Sequence, residues 1–249
     1  MNSYTGLHAR VYDEIYADKP YAAEARSVHE LAAVSGRKLL DVACGTGRHA
    51  IAFAELGYDV TATDINEELL AAGRAAAGDA VRFVQGDMCD LRVDGGPFDL
   101  VTCLFDSIGY AQEDDLIVAA LRSLGRHAAR EGRIVCEFLH APAIVRGGSA
   151  VRVKRLALRD GRDLVRTSET TVDVERMVMR VHYELCAVDA DGRAERSEES
   201  QSNRLFSIPE MRRLAVAAGL SVLTVVPAYA DGPIDSDTFH LLLLAEPTP

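Results

Sequence analysis

The sequence has no C-x-x-C pair, no apolar run of membrane-spanning length and no basic-then-apolar leader in Met1-Asn-Ser-Tyr-Thr-Gly-Leu-His-Ala-Arg10. The first absence removes the commonest thiol redox and metal motifs. The second excludes a transmembrane helix. The third predicts a cytoplasmic protein. Five cysteines, Cys44, Cys89, Cys103, Cys136 and Cys186, are an odd number, and three lie in apolar strand-like runs. They fit buried free thiols in a reducing compartment better than a disulfide framework. The formal net charge is −11. An acid surplus of that size argues against broad contact with nucleic acid or an anionic membrane. No histidine pairs with a cysteine or aspartate at ligand spacing, so no metal site is expected. There are no repeats and no low-complexity tract. At 249 residues the chain suits one large domain, or one domain with an insertion.

The most informative stretch runs from Leu39 to Ala50, Leu-Leu-Asp-Val-Ala-Cys-Gly-Thr-Gly-Arg-His-Ala. An apolar run ends on Asp41-Val42, passes through a small-residue turn and becomes an amphipathic helix. Gly45 and Gly47 allow a sharp turn and a close approach to a ligand. The helix start then offers free N–H groups above the loop. Residues 45–50 also fit the dinucleotide fingerprint G-x-G-x-x-[GA], with Asp64 about 20 residues on as a ribose-binding acid.

The rest of the first 140 residues alternates strand and helix. Residues 1–19 carry Tyr4, Tyr12 and Tyr16 among charges, and Pro20 opens a helix that includes Tyr21. Strands are predicted at 38–42, 58–63, 80–84, 98–105 and 133–139, with Gly132 closing a turn before the fifth. Helices are predicted at 48–56, at 66–77 with Asn66 as cap, and through Ile117, Leu121, Leu124 and Ala128. That rhythm means a parallel sheet with helices on both faces. After Pro142 the pattern becomes polar–apolar alternation over 150–158, 163–173, 175–188 and 194–206, an antiparallel meander. A helix over 209–218 and strands over 221–227 and 238–245 complete the sheet.

Four features follow the carboxyl ends of parallel strands and so share one rim. They are the Gly45/Gly47 loop, Asp64, Asp87-Met88 and Cys103-Leu104-Phe105. Asp64 can accept both hydroxyls of a ribose. Asp87 can accept from an exocyclic amine, and Ile65 and Met88 can sandwich a flat ring. Nothing in the set supplies a phosphate clamp.

This combination resembles the class I S-adenosylmethionine-dependent methyltransferases. The matching pieces are residues 39–47, the acid after the second strand, Gly86-Asp87-Met88 and residues 98–105. A narrower likeness is to the N,N-dimethyltransferases that act on nucleotide-linked amino sugars in antibiotic biosynthesis. It rests on Tyr4-Thr-Gly with Val11-Tyr12-Asp13, on Ser107-Ile108-Gly109, and on Glu198-Glu199-Ser200 with Leu205-Phe206. Two departures stand out. Tyr110 occupies a place where that group has histidine, and Glu137-Phe-Leu-His-Ala-Pro142 lacks the group's tryptophans.

The resemblance implies an α/β, Rossmann-like, seven-stranded, mostly parallel sheet with the last strand antiparallel and the meander inserted. Gly45 and Gly47 would pass under the methionine part of S-adenosyl-L-methionine. Asp64 would hold the ribose, Asp87 and Met88 the adenine, and Tyr12 and Tyr21 would cover the methionyl carboxylate. Asp41, Ala43, Ile65, Cys103 and Leu104 complete the expected cofactor set. The expected reaction is methyl transfer to a small-molecule acceptor in secondary metabolism, N- before O-. Tyr4, Tyr110, Glu137 and His140 are the catalytic candidates near the transfer point. Each has a structural alternative; Glu137 could be a buried acceptor for the N-terminal segment, and His140 an exposed loop residue. The basic run Arg146, Arg152, Lys154, Arg155, Arg159, Arg162 and Arg166 could bind an anion, or pair across strands with Glu169, Asp173, Glu175 and Glu184.

Two other functions share these features. A nicotinamide-dependent oxidoreductase would use the same loop and Asp64, but gives Gly86-Asp87-Met88 no role and has Ala50 where a third glycine is wanted. An inactive, cofactor-binding partner subunit would use the meander and tyrosines as contacts. In domain terms, residues 1–249 form one methyltransferase domain, 1–19 a lid, and 145–206 an inserted meander on the substrate side or in a homodimer contact.

Overall fold

Short β-branched and leucine-rich runs become the strands, and helices with one apolar stripe cover them. The structure is a computed structural model that describes residues 4–248. Its helices are α1 (Leu7–Arg10), α2 (Tyr12–Ile15), α3 (Tyr21–Ala32), α4 (Arg48–Glu55), α5 (Glu67–Ala77), α6 (Asp114–His127), α7 (Ala141–Gly147) and α8 (Ile208–Ala217). The strands are β1 (Lys38–Val42), β2 (Asp59–Asp64), β3 (Val81–Gln85), β4 (Phe98–Cys103), β5 (Ala128–Leu139), β6 (Ala150–Ala157), β7 (Asp163–Asp173), β8 (Val178–Val188), β9 (Ala194–Arg204), β10 (Leu220–Pro227) and β11 (His240–Pro247).

Seven strands form one sheet in the order β10-β11-β5-β4-β1-β2-β3. β1 to β5 run parallel, and β11 is antiparallel to both its neighbours. Strand order reverses between β1 and β4, which opens a crevice at their carboxyl ends. Successive residues serve opposite faces. Leu39 and Leu100 pack with Val28 of α3 and Phe53 of α4. Leu40 and Val101 pack with Ile117 and Leu121 of α6 and Leu214 of α8. Each such side chain, removed fully from water, contributes about 1.5–3 kcal/mol before entropy is counted. Among the described residues, no helix is long and apolar enough to cross a membrane.

The meander forms a separate sheet in the order β6-β7-β8-β9. One face of it carries Leu164, Tyr183 and Leu185, which bury Leu7, Val11 and Ile15 of the N-terminal segment. The meander therefore backs α1 and α2 over the rim of the main sheet.

Several boundaries differ from the sequence expectation. β5 starts at Ala128, directly after α6, because Ala128 pairs with Phe98. Gly132 sits at the irregularity that follows, where a Cβ would lie 2.8 Å from the Phe98 carbonyl oxygen. Leu104 and Phe105 leave the sheet, since Phe105 and Asp106 both turn to φ 57°. Pro20 caps α3 and does not open it. Asn66 caps α5 as expected, accepting from Glu68 N at 2.9 Å and Leu69 N at 3.3 Å.

Candidate active site

A cavity of about 300 Å³ lies at the carboxyl ends of β1 to β4. Its floor is the turn after β1. Ala43, Gly45 and Gly47 take φ of 57°, 58° and 72°, so the backbone alternates in and out of the left-handed region. A Cβ on Gly45 would meet nothing nearer than Leu69 at 4.0 Å, and Gly45 lines the cavity. Gly47 does not line it. A Cβ there would fall 2.5 Å from the Phe83 ring. The first glycine leaves the cavity open, and the second lets the loop seat on β3.

Three aspartates converge on this cavity. Asp41 is buried, accepts from Thr102 Oγ1 at 2.7 Å, and is pushed up to about 7 by burial. Asp64 accepts from Gly45 N at 2.7 Å with one oxygen and Asn66 N at 2.8 Å with the other. Burial raises its carboxyl, while those two N–H groups work against the shift. A carboxylate has about four lone-pair sites, so Asp64 keeps acceptor capacity for a ligand. Asp87 accepts from Cys89 N at 2.8 Å and also faces the cavity. Ile65, Met88 and Leu116 add apolar wall beside it, and Ile65 and Leu116 are 41% and 43% exposed. Leu116 had no motif to reveal it, because it comes from the first turn of α6.

The lining also carries one arginine. Arg48, at the start of α4, lines the cavity and stacks 5.5 Å from the Tyr21 ring centroid. His49 bonds Glu24 at 2.7 Å and meets Tyr21 edge-on. Thr46 donates to Asp13 at 2.6 Å, tying the loop to α2. Tyr12 and Tyr21 also line the cavity, as expected of them. Arg48 lay inside the quoted motif, and its helix-start position was the available signal.

Tyr4 and Tyr110 bound the remaining side. Their hydroxyls lie 3.3 Å apart, and Tyr110 donates to Gln201 Oε1 at 3.0 Å. Gln201 donates to Glu199 Oε1 at 2.7 Å, and Glu199 also accepts from Tyr4 N at 2.6 Å and Thr5 N at 3.3 Å. Burial opposes ionisation of Glu199, but His8, the Tyr4 N–H and Gln201 outweigh it and bring the carboxyl to about 2. Burial pushes both tyrosine hydroxyls up, so they stay neutral.

Other expected site residues lie elsewhere. Cys103 is buried in the core opposite Cys136 and does not line the cavity, whereas Leu104 does. Glu137 lies behind the wall, accepting from Phe105 N and Tyr229 Oη, both at 2.7 Å. It is a buried acceptor, but for the β4 turn and the Tyr229 loop, not for the N-terminal segment. His140 is buried, not exposed, and holds Thr238 O at 2.9 Å. Three members of the basic run pair with other carboxylates than those expected: Lys154 with Asp18, Arg162 with Asp160 and Glu195, and Arg146 with Asp237. The register sets Val151, not an arginine, opposite Glu169.

Comparison with known proteins agrees with this geometry. Residues 39–132 match the methyltransferase-domain family. The chain is 33% identical over 222 residues to the dTDP-3-amino-3,4,6-trideoxy-alpha-D-glucopyranose N,N-dimethyltransferase of Streptomyces venezuelae, covering 86% of this chain and 90% of that one. The crystal structure of Streptomyces venezuelae DesVI has a TM-score of 0.82 at 27% identity, over 98% of this chain and 100% of that one. The S-adenosylmethionine-bound amino pentose methyltransferase CalS10 from Micromonospora echinaspora has a TM-score of 0.75 at 25% identity, over 98% of each chain. This chain belongs to the S-adenosylmethionine-dependent methyltransferases. It is an enzyme that uses S-adenosylmethionine to methylate a small-molecule acceptor. The nicotinamide reading of the glycine loop is thereby set aside.

Proposed function

We propose that the enzyme methylates an amine nitrogen on a sugar-like small molecule in secondary metabolism. The observation that carries this is the hydrogen-bonding character of the acceptor side. Tyr4, Tyr110 and Gln201 present neutral groups there. A hydroxyl acceptor needs a base to take its proton, whereas a free amine arrives with its lone pair exposed. The relatives named for N,N-dimethylation of a dTDP-amino sugar and for amino pentose methylation support the same choice.

The proposed roles follow the cavity from end to end. Asp64 takes the ribose hydroxyls. Asp87 takes the adenine amine, with Ile65, Met88 and Leu116 against the ring. The backbone of Ala43 and Gly45 runs beneath the methionine part, and Arg48, with Tyr12 and Tyr21, receives its carboxylate. Asp41, pushed up to about 7 by burial, adds a negative charge to the floor once it is deprotonated. The cofactor supplies a methyl already activated on a sulfonium. Tyr4 and Tyr110 then orient the amine, whose nitrogen needs to come within about 3–3.5 Å of that methyl, and Phe105 keeps water away. Residues 1–19 act as a lid on one domain spanning 1–249, with the insertion 145–206 as its seat; residues 1–3 lie outside the described residues. Five free cysteines, of which Cys103 and Cys136 are buried, support a cytoplasmic setting.

The test is a matched pair of acceptors. An amino sugar and its hydroxyl analogue are each incubated with saturating cofactor, and S-adenosylhomocysteine release is timed. Turnover confined to the amine supports the reading; comparable turnover of the alcohol contradicts it.

A further inference from the structure

A charged cluster lies directly behind the cavity wall. Phe105 faces the cavity, and its backbone N–H donates to Glu137 Oε2 at 2.7 Å. The next residue, Asp106, accepts from His240 Nδ1 at 2.8 Å, and the same nitrogen stands 3.5 Å from Glu137 Oε1. Both carboxylates are buried, and the other oxygen of Asp106, also buried, has no hydrogen-bond partner. Asp106 therefore depends on His240. Two buried carboxylates this close cannot both ionise without a cation between them.

The turn they hold is strained. Phe105 and Asp106 are consecutive non-glycine residues at φ 57°. Side chains adopt that region only where surrounding bonds over-determine it. Further restraint comes from Asn203 Nδ2 and Gly109 N, each 3.1 Å from the Asp106 carbonyl oxygen. On the Phe105 side, Ser107 closes the turn through its N and Oγ, which donate to Leu104 O at 3.4 and 2.8 Å, and Glu137 holds the Phe105 N–H.

We propose that His240 is a positioning residue for methyl transfer: its imidazolium bridges Asp106 and Glu137 and so fixes the Phe105–Asp106 turn against the cavity. This rests on the methyltransferase reading of that cavity. The three ligating atoms lie within 4.8 Å of one another. The Lys19 ammonium lies over the Phe105 and Tyr229 rings, and its charge works against a further cation here. The Nδ1 proton of His240 is placed to be shared between the two carboxylates. Desolvation pulls the imidazole down, but Asp106 and Glu137 outweigh it and raise it to about 9, against the opposing charge of Lys19. Burial raises Glu137, whose remaining neighbours are Tyr229 and Phe105 N. Lys19 is itself paired with Glu24. His240 is raised above its ordinary value, so its support is full below about pH 6.5 and is lost as pH rises through about 9.

The experiment compares wild type with His240→Gln across pH, at saturating cofactor and acceptor. Taking the ratio of the two kcat values cancels the acceptor's own titration. The ratio should be roughly tenfold near neutrality, a modest misplacement of the reacting groups, and fall towards one by about pH 10. Affinity for S-adenosylhomocysteine should stay within about twofold, since His240 does not line the cavity. In wild type, NMR should show the His240 imidazole titrating at about 9. A ratio near one, a ratio constant with pH, or an imidazole titrating at or below the ordinary histidine range overturns the proposal. The NMR titration decides the matter if the glutamine variant does not fold. Wild type that neither binds S-adenosylhomocysteine nor turns over would instead overturn the methyltransferase reading.

Discussion

Asp64→Ala separates a ligand contact from a structural one. The carboxylate makes two charge-assisted bonds inside the protein, to Gly45 N at 2.7 Å and Asn66 N at 2.8 Å. Leaving those donors unmet costs about 1–3 kcal/mol each if they stay dry. Two effects offset that cost. Removing the side chain also removes a buried negative charge, and the cavity is open enough for water to reach both N–H groups. A net loss of about 1–3 kcal/mol of stability is expected, within reach of a folded protein. Binding should suffer separately. A lost charge-assisted bond to the ribose is worth about 1.5–3 kcal/mol, which is roughly 10- to 150-fold in Kd. Calorimetry with S-adenosylhomocysteine gives the affinity, and thermal unfolding gives the stability. Unchanged affinity in a folded variant would refute the ribose assignment. Lost affinity that merely follows unfolding would leave Asp64 a loop brace.

Three more predictions use the same cavity. Gly45→Ala should cost only the left-handed strain, about 1–2 kcal/mol, yet block the cofactor, while Gly47→Ala should lower Tm more because its Cβ strikes Phe83; equal Tm losses in melting scans would contradict the division. Asp41, held up at about 7 by burial, should make cofactor affinity rise with pH through 7 as the carboxylate forms. Its folding linkage has the opposite sign, since stability present below about pH 4 is lost as pH rises through 7; calorimetry on Asp41→Asn should show the affinity slope gone. Hydrogen exchange over residues 4–19 should slow when S-adenosylhomocysteine is bound, because Tyr4 and Tyr12 line the cavity; identical exchange would make the segment a fixed wall and not a lid.

Most of the sheet was legible because parallel strands buried on both faces leave near-continuous apolar runs such as Phe98–Cys103. The rim was legible for the same reason, since topology alone carries Gly45, Asp64 and Asp87 to one edge. What escaped reading depends on register and distant partners. Nothing local distinguishes Gly45 from Gly47; the difference is the Phe83 ring, which arrives from β3. Glu137 looked like a group near the transfer point, but β5 places it one layer behind Phe105. The left-handed pair at Phe105-Asp106 has no glycine to announce it. His240 and Glu137 meet because β11 runs antiparallel beside β5, a contact across 103 positions that no motif spacing records. Glu199 and Gln201 belong to a meander whose function as a seat for Tyr4 appears only when the N-terminal segment is packed on it.

The central claim is that this cavity delivers a methyl group to nitrogen. The direct measurement uses cofactor labelled with ¹³C in the transferred methyl and an acceptor carrying both an amine and free hydroxyls, with the product's label located by NMR and tandem mass spectrometry. The arrangement of Tyr4, Tyr110 and Gln201 predicts the label on nitrogen, as one or two methyl groups, with every hydroxyl unmodified. Label on an oxygen or a carbon of the acceptor would contradict it.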